Sequence, residues 1–292
     1  MYESFYELGA APFENTPDPR FFFESEQHRE ALAAVEYTIR MRKGFVVITG
    51  AVGTGKTTVG QTMRQRCGDG VRFVQITYGC QDRPELLRQI HRALRTPLRG
   101  NEDHAELIEL LQAYLLQQLE QNRPVVLFID EAQTFSDAAL DELRLLSNLD
   151  TWTSKAVQIA LVGQPELRER LRNATHAALR QRIVMAKTIE PLNHTDTSAY
   201  IHHRLAAASV DSNRPGVVFG SDAITAIYQY AGGLPRLINI ACDNCLLMGF
   251  VQGARQIGAA IVHKVMAEMI PSFETPEAET HAKPRLARAG GY

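Results

Sequence analysis

A glycine-rich segment near residue 50 constrains the fold of this chain more than any other feature. It reads Gly-Ala-Val-Gly-Thr-Gly-Lys-Thr and fits the pattern GxxxxGK followed by Ser or Thr. An apolar, β-branched run from Phe45 to Thr49 precedes it, and a stretch with helical spacing from Thr57 to Arg66 follows. In this strand–turn–helix context the backbone N–H groups and the helix N-terminus bind phosphate oxygens. The segment therefore predicts a phosphate-binding loop, or P-loop, at the end of a parallel strand.

The candidate nucleotide-binding residues are those of this loop and the threonine after it. Lys56 is expected to reach the β- and γ-phosphates, and the hydroxyl of Thr57 is expected to ligate Mg²⁺. A nucleoside triphosphate with Mg²⁺ is the predicted ligand. The full set of loop candidates is Gly50, Ala51, Val52, Gly53, Thr54, Gly55, Lys56, Thr57 and Thr58.

Two acidic residues follow a second apolar strand. The run Val-Val-Leu-Phe-Ile ends in Asp130 and Glu131. We expect Asp130 to hold Mg²⁺ through water and Glu131 to polarise the attacking water. Gln133 extends the run to Asp-Glu-Ala-Gln, which invites a helicase interpretation, but no further helicase motif follows.

Three more polar residues are candidates for the same chemistry. Gln164 follows the strand beside the acidic one and can hydrogen-bond the γ-phosphate or the lytic water, unless it is only a turn residue. Arg182 is slightly favoured over Arg180 as an arginine presented across a subunit interface; the alternative for both is a solvated surface. Arg236 opens a helix after Gly232-Gly233 and can approach the nucleotide when a helical domain closes.

The order of apolar patterns predicts an α/β fold followed by a helical region. Strands alternate with helices as far as Pro191, which favours a parallel sheet between helices, and only helical patterns follow. We predict four parts: an irregular N-terminal segment packed on the body at 1–26, a P-loop core at 27–191, a small all-helical domain at 192–270, and a disordered tail at 271–292.

Composition excludes several classes of protein. Lys plus Arg (31) nearly balance Asp plus Glu (33), so no overall field attracts the chain to nucleic acid or membrane. No stretch reaches the roughly 20 apolar residues of a membrane helix, and the start lacks the pattern of a signal peptide. Four cysteines do not make a disulfide framework in so long a chain. A cytoplasmic protein without a transmembrane segment is the expectation.

Several segments together carry a family resemblance. They are PFENTPDPRFFF, GAVGTGKTT, LFIDEAQ, LVGQPELRERL, LRQRI, YIHHRL and GGLPRLINIACDNCLL. From about Phe5 to Met269 the chain resembles the ATPase domain of the general secretion pathway protein A family, represented by ExeA. It is also similar to MshM and, more distantly, to the transposition regulators TnsC and MuB.

The resemblance implies an AAA+ module, in which an αβα sandwich with a helical lid assembles as a ring or filament with ATP between subunits. It favours ATP over GTP and implies Arg182 as the arginine in trans and Arg236 as the second sensor. It also implies that the Pro12-Phe13 region lies near the adenine. The four predicted parts are then a segment near the nucleotide site, an ATPase core and a helical lid, followed by the tail.

Three functional hypotheses remain open at this point. The first is an ATPase that drives assembly of a secretion, pilus or export machine, reached through a membrane-associated partner protein. The second is a DNA-bound regulator of the transposition type, supported by arginines at 64–72 and 168–182 but opposed by the near-neutral charge. The third is a nucleotide switch without turnover, which Glu131 disfavours.

Overall fold

Five parallel strands form the central sheet. A computed structural model describes residues 1–16, 18–149, 155–211 and 216–269, so the predicted tail at 271–292 lies outside the described residues. The sheet order is β2-β3-β4-β1-β5, and every neighbouring pair is parallel. The strands are β1 Phe45–Gly50, β2 Arg72–Ile76, β3 Val125–Ile129, β4 Val157–Gly163 and β5 Ile183–Ile189.

Helices cover both faces of this sheet. Apolar residues of α2 and α3 pack on one face, and those of α4 to α8 pack on the other. The three inner strands are buried along their whole length, which explains their continuous apolar runs in the sequence. The helices are α1 Tyr2–Phe5, α2 Glu26–Arg40, α3 Lys56–Cys67, α4 Arg83–Leu94, α5 His104–Glu120, α6 Asp137–Leu146, α7 Pro165–Arg172, α8 Ala177–Arg180, α9 His194–Ala208, α10 Ser221–Ala231, α11 Pro235–Val251 and α12 Ala259–Met269.

The edge strand β5 was not assigned from the sequence. It pairs with β1 on one side only, and its residues alternate in exposure, with Val184 and Ala186 exposed and Ile189 buried. Its sequence begins with four apolar residues, Ile183 to Ala186, and continues with Lys187 and Thr188, so the apolar run is shorter than that of the inner strand β3.

The C-terminal helices α9 to α12 form a core of their own together with the N-terminal segment. This part is helical, as predicted, with one departure. Two short strands, β6 Val218–Phe219 and β7 Gln256–Ile257, pair in parallel, so the region is not all-helical. Two-residue strands leave no alternating pattern, which is why the sequence did not indicate them.

The N-terminal segment is attached to the helical region rather than to the sheet. The Tyr6 hydroxyl donates to the carbonyls of Leu246 at 3.1 Å and Ala254 at 3.0 Å. The buried guanidinium of Arg204, on α9, donates to the carbonyls of Pro12 and Glu14. These bonds span nearly the whole chain, so the segment and the helical region form one packed layer beside the P-loop.

Candidate nucleotide-binding site

The P-loop connects the end of β1 to the start of α3. Gly53 and Gly55 have φ values of 81° and 93°, the left-handed region in which glycine is favoured. Lys56 is only 5% exposed, and its Nζ donates to the carbonyls of Gly50 at 2.9 Å and Ala51 at 2.8 Å. Burial lowers the pKa of Lys56, and the carboxylates of Glu131 and Asp130 oppose that effect. The loop thus curls around a buried lysine that bonds only to backbone carbonyls and forms no ion pair among the described residues. Such a lysine is available to bind phosphate oxygens.

A hydroxyl and a carboxylate meet beside this lysine. Thr57 Oγ1 donates to Asp130 Oδ2 at 2.9 Å, and Gln75 Nε2 approaches the same oxygen at 3.4 Å. Asp130 is 2% exposed, and burial raises the pKa of its carboxyl, against hydrogen bonds from Thr57 and the Glu131 N–H. Hard oxygen donors of this type suit Mg²⁺, so the residues present fit the predicted ion.

Glu131 lies at the centre of a hydrogen-bonded set of side chains. Its φ of 50° is unusual for a residue with a side chain and directs it out of the end of β3. Its carboxylate accepts hydrogen bonds from the side-chain amides of Gln133 and Gln164, the latter at 3.1 Å. The side-chain carbonyl of Gln133 also accepts from the Gln164 N–H at 3.0 Å. Sequence reasoning assigned no role to Gln133; its position after the two acids was the available signal.

Arg236 joins the helical region to the P-loop. Its backbone N–H donates to the Gly53 carbonyl at 3.3 Å, and a Cβ added at Gly53 would lie 2.7 Å from Arg236 Cβ. The backbone of Arg236, the predicted second sensor, is therefore in contact with the P-loop.

Arg182 lies at the other end of the sheet. It shares a cleft with Lys43 and Arg144 near the start of β1, whereas the P-loop follows the end of that strand. Six residues of strand separate the two ends by roughly 17 Å at about 3.3 Å per residue. The structure thus does not bring Arg182 to the P-loop of its own chain. Arg182 Nη1 donates to Ser147 Oγ at 2.8 Å, whereas Arg180 Nη1 binds two carbonyls at the end of α7.

A cleft opens beside the P-loop, between the N-terminal segment and the helical region. It does not include the Pro12-Phe13 region that the resemblance placed near the adenine. Phe13 is 2% exposed and packs edge-on against Phe219 inside the helical core, and the Pro12 carbonyl binds Arg204. The cleft is lined by Thr16, Asp18, Phe21, Phe22, Phe23, His28, Thr54, Gly55, Thr58, Leu192, Tyr200, Arg204 and Pro235.

His28 supports the P-loop from α2 and was not among the predicted site residues. Its Nε2 lies 3.0 Å from the Thr54 carbonyl, and its Nδ1 lies 2.7 Å from Ser25 Oγ. A carbonyl only accepts, so Nε2 carries the proton and Nδ1 accepts from the serine hydroxyl. The ring is 4% exposed, and burial lowers its pKa. A single histidine in a helical pattern gives no sequence signal for this contact.

A P-loop on a five-stranded parallel sheet, with Thr57 and Asp130 in contact and a helical region against the loop, defines a P-loop nucleoside triphosphatase fold. The AAA domain family matches residues 39–171. The chain has the AAA+ type of P-loop fold, and the matched segment contains both the P-loop and Asp130. It is 35% identical over 257 residues to general secretion pathway protein A of Aeromonas hydrophila, which confirms the resemblance found in the sequence. The match covers 88% of this chain and 46% of that protein, so the chain spans about half of its relative.

Solved structures show the same fold at low identity. The Aeropyrum pernix ORC2 protein, in ADPNP and ADP complexes, aligns with a TM-score of 0.66 and 16% identity, covering 88% of this chain and 71% of that one. Thermotoga maritima RuvB, a Holliday junction branch migration motor, aligns with a TM-score of 0.52 and 18% identity, and the alignment covers 84% of this chain and 69% of that one. Among the helices of the described residues, none has the length and apolar character needed to span a membrane.

Proposed function

We propose that this protein hydrolyses ATP at a site that a second copy of the chain completes. The observation that supports this most directly is the Glu131–Gln164 hydrogen bond beside the Thr57–Asp130 pair. A nucleotide-binding protein without turnover has no need for a carboxylate held at this place by two amides. The switch hypothesis is therefore the weaker one.

Each site residue has a defined task in this proposal. Lys56 exchanges its two loop carbonyls for phosphate oxygens, while Thr57 and Asp130 would hold Mg²⁺, whose charge neutralises the β- and γ-phosphates. Glu131 orients the attacking water and accepts its proton. Gln164 keeps the Glu131 carboxylate in position.

The position of Arg182 supports an assembly in which neighbours share the site. P-loop and arginine lie at opposite ends of β1, so a head-to-tail contact places the arginine of one copy at the nucleotide of the next. Contacts of this type build rings or filaments. Arg180 is the weaker candidate because its guanidinium caps the last carbonyls of α7.

The similarity to general secretion pathway protein A supports a cytoplasmic role in assembling a secretion, pilus or export machine, reached through a membrane-associated partner. The second candidate is a DNA-associated regulator. It is supported by the shared fold with RuvB, whose substrate is a DNA junction, and by the arginines of α3 and β2. DNA-stimulated hydrolysis would favour this second role.

The test is steady-state ATP hydrolysis by the purified protein over a concentration series, with and without duplex DNA. We expect activity to rise more than linearly with protein, and Lys56→Ala, Glu131→Gln and Arg182→Ala to abolish it. Arg180→Ala is the matched control and should retain activity.

Mixing variants tests the shared site directly. Equal amounts of Lys56→Ala and Arg182→Ala should recover about a quarter of wild-type activity, because random mixing leaves one interface in four with both groups intact. Recovery would exclude action of Arg182 within its own chain. No recovery, with both variants folded and oligomeric, would contradict the shared site.

A further inference from the structure

A second cleft lies beside the edge strand β2 and the end of α3. Its lining shares no residue with the cleft next to the P-loop. Arginine and glutamine side chains dominate its lining. The lining residues are Pro19, Gln61, Arg64, Gln65, Gly68, Asp69, Val71, Arg72, Phe73, Gln75 and Arg123.

The three guanidinium groups of this cleft have no carboxylate partner within the described ranges. Arg72 and Arg123 each donate one Nη2 hydrogen bond to a backbone carbonyl, and the Nε atoms of both are buried without an acceptor. The side chain of Arg64 is exposed and forms no hydrogen bond or ion pair with any described residue. Asp69 is the single acidic residue of the lining. Its backbone carbonyl, and not its carboxylate, accepts the hydrogen bond from Arg123. The cleft thus concentrates positive charge that pairs with no carboxylate of the described residues, in a protein of near-zero net charge.

We propose that this cleft binds the phosphate backbone of a nucleic acid. Unpaired guanidinium groups match phosphate oxygens in geometry and charge, and the glutamine amides add neutral donors. A membrane surface is the poorer match. The cleft is concave, and its apolar lining residues Pro19, Val71 and Phe73 are half-buried, so no exposed apolar side chain is available for insertion into lipid.

The cleft is connected to the nucleotide site through one strand. Gln75 lines the cleft, and its Nε2 lies 3.4 Å from Asp130 Oδ2. The carbonyl of the next residue, Ile76, accepts the Asp130 N–H at 2.8 Å. A nucleic acid in the cleft therefore contacts β2, the strand that hydrogen-bonds Asp130 through Gln75 and Ile76, and we expect it to change the rate of hydrolysis. This coupling rests on the proposed function, whereas binding itself does not.

Binding is measured with a short fluorescent DNA duplex, a single strand of the same sequence and vesicles of anionic phospholipid, without ATP. The variants are Arg64→Glu and, as the matched control, Arg92→Glu, an exposed arginine of α4 outside the cleft. We expect Arg64→Glu to weaken binding to DNA about tenfold. The slope of log K against log salt concentration should become shallower by about 1, which corresponds to one lost phosphate contact. Arg92→Glu should bind within about twofold of wild type. Which DNA form binds more tightly identifies the ligand.

Three results would overturn the proposal: no binding of either DNA form, equal loss in both variants, or Arg64-dependent binding to vesicles alone. Melting temperatures of the two variants establish that they are folded. ATP hydrolysis without DNA should be unchanged in Arg64→Glu, because Arg64 contacts no residue of the nucleotide site. Loss of hydrolysis in all preparations with DNA binding intact would count against the proposed function and leave the cleft assignment standing.

Discussion

The side-chain amide of Gln164 donates a hydrogen bond to the carboxylate of Glu131 at 3.1 Å, although 33 positions separate them in the chain. The contact exists because β3 and β4 are adjacent parallel strands whose carboxyl ends meet at one edge of the sheet. Gln133 completes the arrangement by bonding to both residues. The side chains of Gln133 and Gln164 thus both donate to the Glu131 carboxylate.

Replacing Gln164 with Ala should lower kcat for ATP about 10- to 100-fold and leave ATP affinity nearly unchanged, because the amide positions the general base rather than the bound nucleotide. Steady-state kinetics and equilibrium binding of ATP measure the two quantities separately. Thr188→Ala, at the end of β5, serves as a control for changes at a strand end. A loss of affinity at constant kcat would assign Gln164 to the γ-phosphate instead.

Asp130→Asn should raise the melting temperature of the nucleotide-free protein while abolishing Mg²⁺-dependent hydrolysis. The carboxylate is buried, so removing its charge relieves a destabilising effect, and a gain of about 1 kcal/mol corresponds to roughly 2–4 °C. Thermal denaturation with and without Mg²⁺ and ATP measures both effects. A variant less stable than wild type at pH 7 without ligand would contradict the prediction.

The same variant gives a pH dependence with a defined sign. Burial raises the pKa of Asp130 in the folded protein, so the folded state binds more protons than the unfolded state above about pH 3.9. The destabilising effect is therefore present at neutral pH and disappears as the pH falls through the raised pKa. The difference in melting temperature between Asp130→Asn and wild type should shrink on acidification.

His28→Leu should weaken ATP binding about tenfold, because the Thr54 carbonyl loses a buried donor and the P-loop loses its support. His28→Gln can restore a donor and should retain most of the affinity. Isothermal titration with ATP compares the three proteins. Equal affinity of His28→Leu and wild type would show that the loop holds its shape without α2.

His28 also predicts a loss of stability in weak acid. Burial lowers its pKa in the folded state, so below the ordinary histidine pKa of about 6.5 the unfolded chain takes up a proton that the folded chain does not. Wild-type stability should fall more steeply than that of His28→Gln as the pH decreases below this value. Melting curves of both proteins over this pH range measure the difference. Equal loss of stability in the two proteins would mean that the His28 ring is charged in the folded state, which would contradict the prediction.

Gly53→Ala should reduce ATP affinity by about tenfold or more. Its φ of 81° strains any side chain, and the new Cβ would lie 2.7 Å from Arg236 Cβ, which pushes α11 away from the loop. Gly253→Ala is the matched control, since its φ is 68° but nothing lies within 4 Å of the added Cβ. Equal effects of the two substitutions on ATP binding would indicate a general loss of stability and would contradict a local effect at the P-loop.

Much of the fold was predictable because its signals are local. The runs 45–49 and 125–129 are buried on both faces of the sheet and therefore continuously apolar, and each helix of the core carries its own periodic pattern. The edge strand β5 and the paired strands β6 and β7 were not predicted, because one is half-exposed and the others are two residues long.

The sequence by itself determined the P-loop, the acidic strand end and the resemblance to AAA+ ATPases, since each depends on short segments that are continuous in the chain. Only the tertiary structure decided which distant residues meet: His28 with Thr54, Gln164 with Glu131, and the arginines around the β2 cleft. It also placed Phe13 in the helical core, where it packs edge-on against Phe219. The physical reason is that strand order and packing of the N-terminal segment bring together groups whose spacing along the chain carries no periodic signal.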